Sequence, residues 1–209
     1  MKTIKYIILA VIILSTTMGS FSNLLAQENT LFAECYKRGE LTAMLEKDDL
    51  FFSLLTSPDS DPEMARLGYC SEADMEKLWE HLHSKKIAKR FPEDLFFAWG
   101  WSPENGASTL YALKKSGEDV PGKSDLRSLS VQKSNSTTSY DLLISFSEEG
   151  AEKWAAMTKK NVGRNIAIII EGKVVAAPTV REEIKFGKCM ISGSYTKEEM
   201  NKMKTLLES

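Results

Sequence analysis

The chain has 209 residues, a formal charge of −2 at pH 7, and 43% apolar residues. No segment is strongly basic, so nucleic acid is not an expected partner. The three cysteines, Cys35, Cys70 and Cys189, lie far apart without CxxC spacing, which disfavours zinc and thioredoxin chemistry. They read as three buried thiols, or as one bridge and one leftover.

The first stretch reads as a secretory signal over residues 1–26. Lys2 and Lys5 form a basic n-region, residues 7–14 are an apolar core short for a membrane span, and residues 15–20 turn small and polar. Cleavage after Ala26 leaves 183 residues, room for one domain or two small ones with a real core. It also removes the two lysines, taking the charge from −2 to −4. No cysteine follows the apolar core, so a lipoprotein anchor is not expected. The expected location is therefore exported, periplasmic or extracellular. The alternative is an uncleaved anchor over residues 4–20, the only expected contact with a membrane.

After the leader, residues 30–47 read as helix, with Leu31, Phe32, Cys35, Leu41, Met44 and Leu45 at helical spacings around Gly39. Residues 50–55 read as a short apolar strand, 57–62 as a loop, and 65–70 as a second strand. Ser71 starts a helix with Met75, Leu78, Trp79 and Leu82 on one face. Residues 94–101 and 108–114 read as paired strands, 116–124 as loop, and 126–132 as a half-buried strand. Residues 134–139 form a polar turn and 140–146 another strand. Ser147 caps a helix running to about Lys160, with Ala151, Trp154 and Ala155 inward.

Residues 166–170 are a continuous β-branched and apolar run, the pattern of a strand buried on both faces. Glu171-Gly172 makes a two-residue hairpin turn, residues 173–177 return, and Pro178 ends the pairing. Gly187 resets the backbone, residues 189–192 form a third strand, and Gly193 closes it. Thr196 caps the last helix with Glu199 completing a capping box, and Met200, Met203 and Leu207 form its apolar stripe. From Ser108 the order is β-β-β-α-β-β-β-α. This is α+β: a largely antiparallel sheet with helices packed on one face.

This last region resembles the head of the first periplasmic domain of SecD and SecDF. The resemblance is carried by Gly163-Arg164, Ile166 to Ile168, Glu171 to Pro178, Ile184, Gly187, Ile191 to Gly193, and Tyr195-Thr196 with Glu198-Glu199. It extends through Phe146, Glu149 to Ala151 and Thr158. More distantly it reaches Leu54-Leu55, Phe91 to Asp94 and Leu110 to Lys114. The resemblance implies an N-terminal region over 27–107 similar to the base part of that domain, and a head-like subdomain over 108–209. It implies no catalytic residue and no cofactor or metal. Gly163, Arg164, Gly172, Pro178, Gly187 and Gly193 are then structural positions of the motif. The implied function is a non-enzymatic module linked to protein translocation that binds unfolded or extended polypeptide, or an envelope protein complex. The family's membrane helices have no counterpart here.

Two rival chemistries have a pattern in the sequence. Residues 117–124, GEDVPGKS, satisfy the phosphate-loop pattern GxxxxGK[ST], with Lys123 and Ser124 as the binding pair of a nucleotide hydrolase. Glu118 and Asp119 would repel a phosphate, and no long helix follows, so the loop reads as polar connection. His81 and His83 are two apart on a helix, cannot chelate one metal, and are expected to face solvent. Phe97, Trp99 and Trp101 alternate along one strand and would share a face, as core or as an aromatic platform for a polypeptide. The remaining alternative is a dedicated structural partner of one envelope protein.

Overall fold

The computed structural model describes residues 30–57, 61–103, 106–115, 117, 119–135 and 138–209. The expected signal peptide lies outside them, as do parts of the loops expected at 57–62, 103–106, 116–124 and 134–139. The elements in chain order are β1 (Phe32–Glu34), α1 (Arg38–Met44), α2 (Asp49–Leu54), β2 (Arg66–Ser71), α3 (Met75–His83) and α4 (Lys85–Ala88). Then come β3 (Leu95–Trp99), β4 (Ala107–Lys114), β5 (Leu126–Lys133), β6 (Tyr140–Phe146) and α5 (Glu148–Lys160). The last are β7 (Ile166–Ile170), β8 (Lys173–Ala176), β9 (Lys188–Ile191) and α6 (Lys197–Glu208).

The strands form three antiparallel sheets, ordered β2-β4-β3, β1-β7-β8 and β5-β6-β9. The fold is α+β, as expected, but the single expected sheet is divided into three. β7 explains the division. All five of its residues are buried. Ile166, Ile168 and Ile170 face one cluster with Leu142 and Ile144 of β6, Trp154 of α5, and Met200 and Met203 of α6. Ala167 and Ile169 face the opposite cluster with Phe96, Ala98 and Leu113 of the first sheet. A strand with two buried faces must be apolar at every position, which is what residues 166–170 supply. Each fully buried Ile contributes roughly 1.5–3 kcal/mol of transfer free energy.

The first sheet is buried on its other side too. Leu110, Ala112 and Phe97 meet Leu41 of α1, Phe51 of α2, and Leu78 and Leu82 of α3. The sheet β5-β6-β9 differs, with α5 and α6 on one face and no element covering the other among the described residues.

Two expected elements are corrected. Residues 30–47 are not one helix, because Phe32 pairs with Ile168 and Glu34 with Ile166, making β1 an edge strand beside β7. Helix begins only at Arg38, where Glu40 accepts the Lys37 backbone N–H at 2.7 Å. Residues 50–55 are not a strand. The Asp48 carboxylate accepts the Phe51 N–H at 3.0 Å and starts α2 instead. The helix after Ser71 begins later than expected, at Met75; Ser71 ends β2, and its hydroxyl donates to Asp74 at 2.7 Å. β4 completes the N-terminal sheet, while β1 joins the sheet of β7 and β8, so strands pass between the two regions divided at residue 107. Among the described residues no helix is long and apolar enough to cross a membrane.

Candidate functional site

The hairpin between β7 and β8 turns on Glu171 and Gly172, with φ of 50° and 71°. Two positive φ values in succession match the right-handed twist of the flanking strands. The turn leaves β8 with one edge paired to β7 and one edge facing outward. Among the described residues no full strand covers that outer edge. The Trp101 N–H donates to the Val174 carbonyl at 2.9 Å, and Gly100 forms a single parallel bridge with Val174. One residue on, the Val175 carbonyl accepts the Tyr195 hydroxyl at 2.6 Å. A side-chain hydroxyl therefore takes the place that a neighbouring strand's N–H would hold.

A groove of about 740 Å³ runs along this edge. Trp101, Thr109 and Tyr111 line it on one side, and Met190, residues 192–195 and Glu199 on the other, with residues 174–178 between. Gly193 is needed for this shape, since a Cβ there would lie 2.9 Å from the Tyr195 ring. Met190 is 48% exposed. The Lys202 ammonium lies 5.4 Å from the centre of the Trp101 ring. Burial pushes the Tyr111 hydroxyl up to about 12, with Cys35 adding to the shift and Arg66 opposing it. Tyr111 is thus a neutral wall of the groove at physiological pH.

The three expected aromatics are not brought together. Phe97 is buried, and Phe97 and Trp99 pack with Phe91 and Trp79 under the helices. Trp101 lies beyond the end of β3, packs against the other main cluster, and lines the groove. The motif positions hold turns and junctions. Gly163 has φ 79°, and its N–H donates to the Val180 carbonyl. The Arg164 guanidinium donates to both Glu40 oxygens, at 3.0 and 3.1 Å, tying α1 to the turn before β7. The Pro178 carbonyl accepts the Ile166 N–H. Gly187 has φ 58°, and a Cβ there would lie 2.6 Å from the Ala151 Cβ on α5.

The other candidates have structural partners. The Lys123 ammonium donates to the Leu206 carbonyl at 2.8 Å near the end of α6, and residues 123–125 form one 3-10 turn that leads into β5. The phosphate-loop pattern therefore opens no helix. His81 does not face solvent as expected. Its Nε2 lies 2.8 Å from Asp48 Oδ1, because residue 48 sits under α3. Burial alone would raise the Asp48 carboxyl, but the Phe51 amide, His81 and Arg90 outweigh it and hold it below its ordinary value. His83 stacks on Trp79. All three cysteines are free. Burial pushes Cys35 and Cys189 up to about 12, so neither is a thiolate near neutral pH.

Tyr195, Tyr111 and Met190 were not singled out as site residues from sequence. The signal for Tyr195 was its position two residues after Gly193, a spacing that lets an aromatic ring fold back over the backbone.

Comparison with known proteins gives a consistent set of relatives. The family described as "SecDF, P1 head subdomain" matches residues 103–209. The chain is 46% identical over 66 residues to the protein translocase subunit SecD of Acidaminococcus fermentans, covering 32% of this chain and 16% of that one. It is 32% identical over 120 residues to SecD of Rhodothermus marinus, covering 50% of this chain and 19% of that one. It is 35% identical over 66 residues to SecDF of Thermus thermophilus, covering 32% and 9%. The chain thus matches less than a fifth of the length of these relatives. A solved structure of SecDF in a super-membrane-facing form aligns with 92% of this chain and 21% of its own at a TM-score of 0.44 and 16% identity.

Proposed function

Because the chain belongs to the SecDF P1 head subdomain family, we propose that it is an exported, non-enzymatic accessory module that holds extended polypeptide in the envelope, in connection with protein translocation. The observation that carries this reading is the outer edge of β8, where the Val175 carbonyl meets a hydroxyl in place of a strand. An extended chain laid in the groove can offer its own N–H to that carbonyl. Main-chain pairing of this kind gives affinity without demanding one sequence. Trp101, Met190 and Tyr195 supply apolar walls, and a flexible, polarisable Met adapts to side chains of different shape. The relatives are named protein translocase subunits, which supports the same direction. Of the three aromatics expected to bind polypeptide, Trp101 keeps that role here, while Phe97 and Trp99 serve the core.

The test is fluorescence anisotropy with a set of labelled, unfolded, signal-bearing polypeptides. Saturable binding across several chains, weakened about tenfold by Trp101→Ala as expected for a buried aromatic anchor, supports the reading. Absence of binding to every chain overturns it. A single envelope protein recovered by pull-down would then favour a dedicated structural partner.

A further inference from the structure

Beside the groove lies a second cavity of about 640 Å³, on the open face of the sheet β5-β6-β9. Asp141 lines it. The strand alternation places Asp141 opposite to Leu142 and Ile144, on the face it shares with its cross-strand neighbour Gln132 and with Met190, the neighbour of Leu143. All three of these, Asp141, Gln132 and Met190, line the cavity. Asp141 is only 6% exposed. None of the described residues gives its side chain a hydrogen bond or an ion pair. It is also the only charged residue among the described residues lining the cavity, which include no Lys or Arg.

The side-chain atoms sealed from solvent without a partner among the described residues are Trp154 Nε1, Asn161 Oδ1 and Arg164 Nε, so the Asp141 oxygens reach into the cavity, and aspartate is a poor strand residue as well. The other buried acids among the described residues are matched. Asp48 has His81 and Arg90, and Asp125 has Lys153 and the Gly122 N–H. Asp141 is the exception among the described residues, and it lines a cavity large enough to receive a cation. The rest of the lining consists mainly of hydroxyl and amide side chains, including Ser192 and Ser194, whose oxygens accept N–H donors. Residues 192–195 and Met190 also line the β8 groove, so cavity and groove share a rim.

We propose that this cavity is a cation pocket, in which Asp141 receives the ammonium or guanidinium of a Lys or Arg side chain carried by a polypeptide lying along β8. The inference rests on the polypeptide-holding reading for the source of the cation, and on Asp141 alone for its chemistry. It selects, among extended chains, those with a basic residue placed to reach over residues 192–195.

The experiment compares three peptides of equal length, identical except for Lys, acetyl-lysine or Gln at one position, by anisotropy against the wild-type chain, Asp141→Asn and Ser194→Lys. Lysine amide is added separately, with amide chemical shifts of Gln132, Asp141 and Ser192 as readout. The expected result is at least fivefold tighter binding of the Lys peptide than of the other two, lost in Asp141→Asn and in Ser194→Lys, which carries its own ammonium to the mouth. Asp141→Asn is expected to melt no lower than wild type, since it removes an uncompensated charge, whereas an acid with a structural partner would be missed. Binding of all three peptides with equal affinity overturns the pocket and leaves the groove standing. Lysine amide shifts in wild type but not in Asp141→Asn, with no peptide bound, uphold the pocket and overturn the polypeptide reading. No difference in either assay overturns the pocket.

Discussion

The sheets β2-β4-β3 and β5-β6-β9 have the same size and the same antiparallel pairing, yet they are used differently. The first lies between the helices α1 to α4 and the strands β1, β7 and β8, and its side chains are buried in two directions. The second has α5 and α6 on one face, and turns the other toward the cavity that contains Asp141. A sheet closed on both faces has no surface left for a ligand. A sheet closed on one face, next to a strand edge that is only partly paired, has both a face and an edge to offer. Both sheets bury a core on at least one face, and under the proposed reading the open face of the second sheet and its junction with β8 are where a polypeptide binds.

The largest effect that would break this comparison comes from core truncation. Leu110 and Leu113, on opposite faces of β4, are both fully buried, as is Leu142 on β6. Each Leu→Ala change is expected to cost about 2–5 kcal/mol, measured by chemical denaturation. Leu143, on the open face of β6, is expected to cost about 1 kcal/mol or less, as surface substitutions do. Equal losses at Leu142 and Leu143 would show that the second sheet is covered on both faces after all.

The next effect separates crowding from backbone strain at the junctions of the second sheet. Gly187 combines a positive φ with a Cβ position 2.6 Å from Ala151, so Gly187→Ala is expected to cost about 2–5 kcal/mol. Gly172 has a positive φ but open space around it, so Gly172→Ala is expected to cost only about 1–2 kcal/mol. Thermal melts of the two variants give the order directly.

A third prediction concerns pH in the helix layer. The folded-state pKa of Asp48 lies below its ordinary value of 3.8. The ionised form therefore stabilises the fold above that value, and the contribution is lost as pH falls through the folded-state pKa. Asp48→Ala is expected to cost about 1–3 kcal/mol at pH 7, from a lost cap and lost charged hydrogen bonds. The gap to wild type should narrow in denaturation curves taken below about pH 4. The smallest effect is at Arg164 and Glu40, which are partly exposed. Glu40→Gln is expected to cost about 0.5–1 kcal/mol, less at high salt.

Much of this architecture could be read from residues. The run at 166–170 announced a strand with two buried faces, Glu171-Gly172 announced its turn, and Thr196 with Glu199 announced the last helix. These features are local, set by propensity, turn chemistry and capping. What could not be read depends on partners far away in sequence. Phe32 becomes strand because Ile168 lies beside it, and no spacing within residues 30–47 contains that fact. His81 turns inward because Asp48, on another element, receives it. Residues 50–55 differ from the expected strand for another reason: the Asp48 cap just before the apolar run is a local helix-start signal that wins over the apolar pattern. The groove was the least accessible feature. It is assembled from Trp101, Val175, Met190 and Tyr195, which meet only when three sheets have packed.

The most direct test is amide hydrogen exchange of the chain with and without an unfolded polypeptide. The groove reading predicts added protection at residues 174–178 and 190–195, with the sheet β2-β4-β3 and its helices unchanged. Protection that instead appears around Phe97 and Trp99, or nowhere, would contradict it.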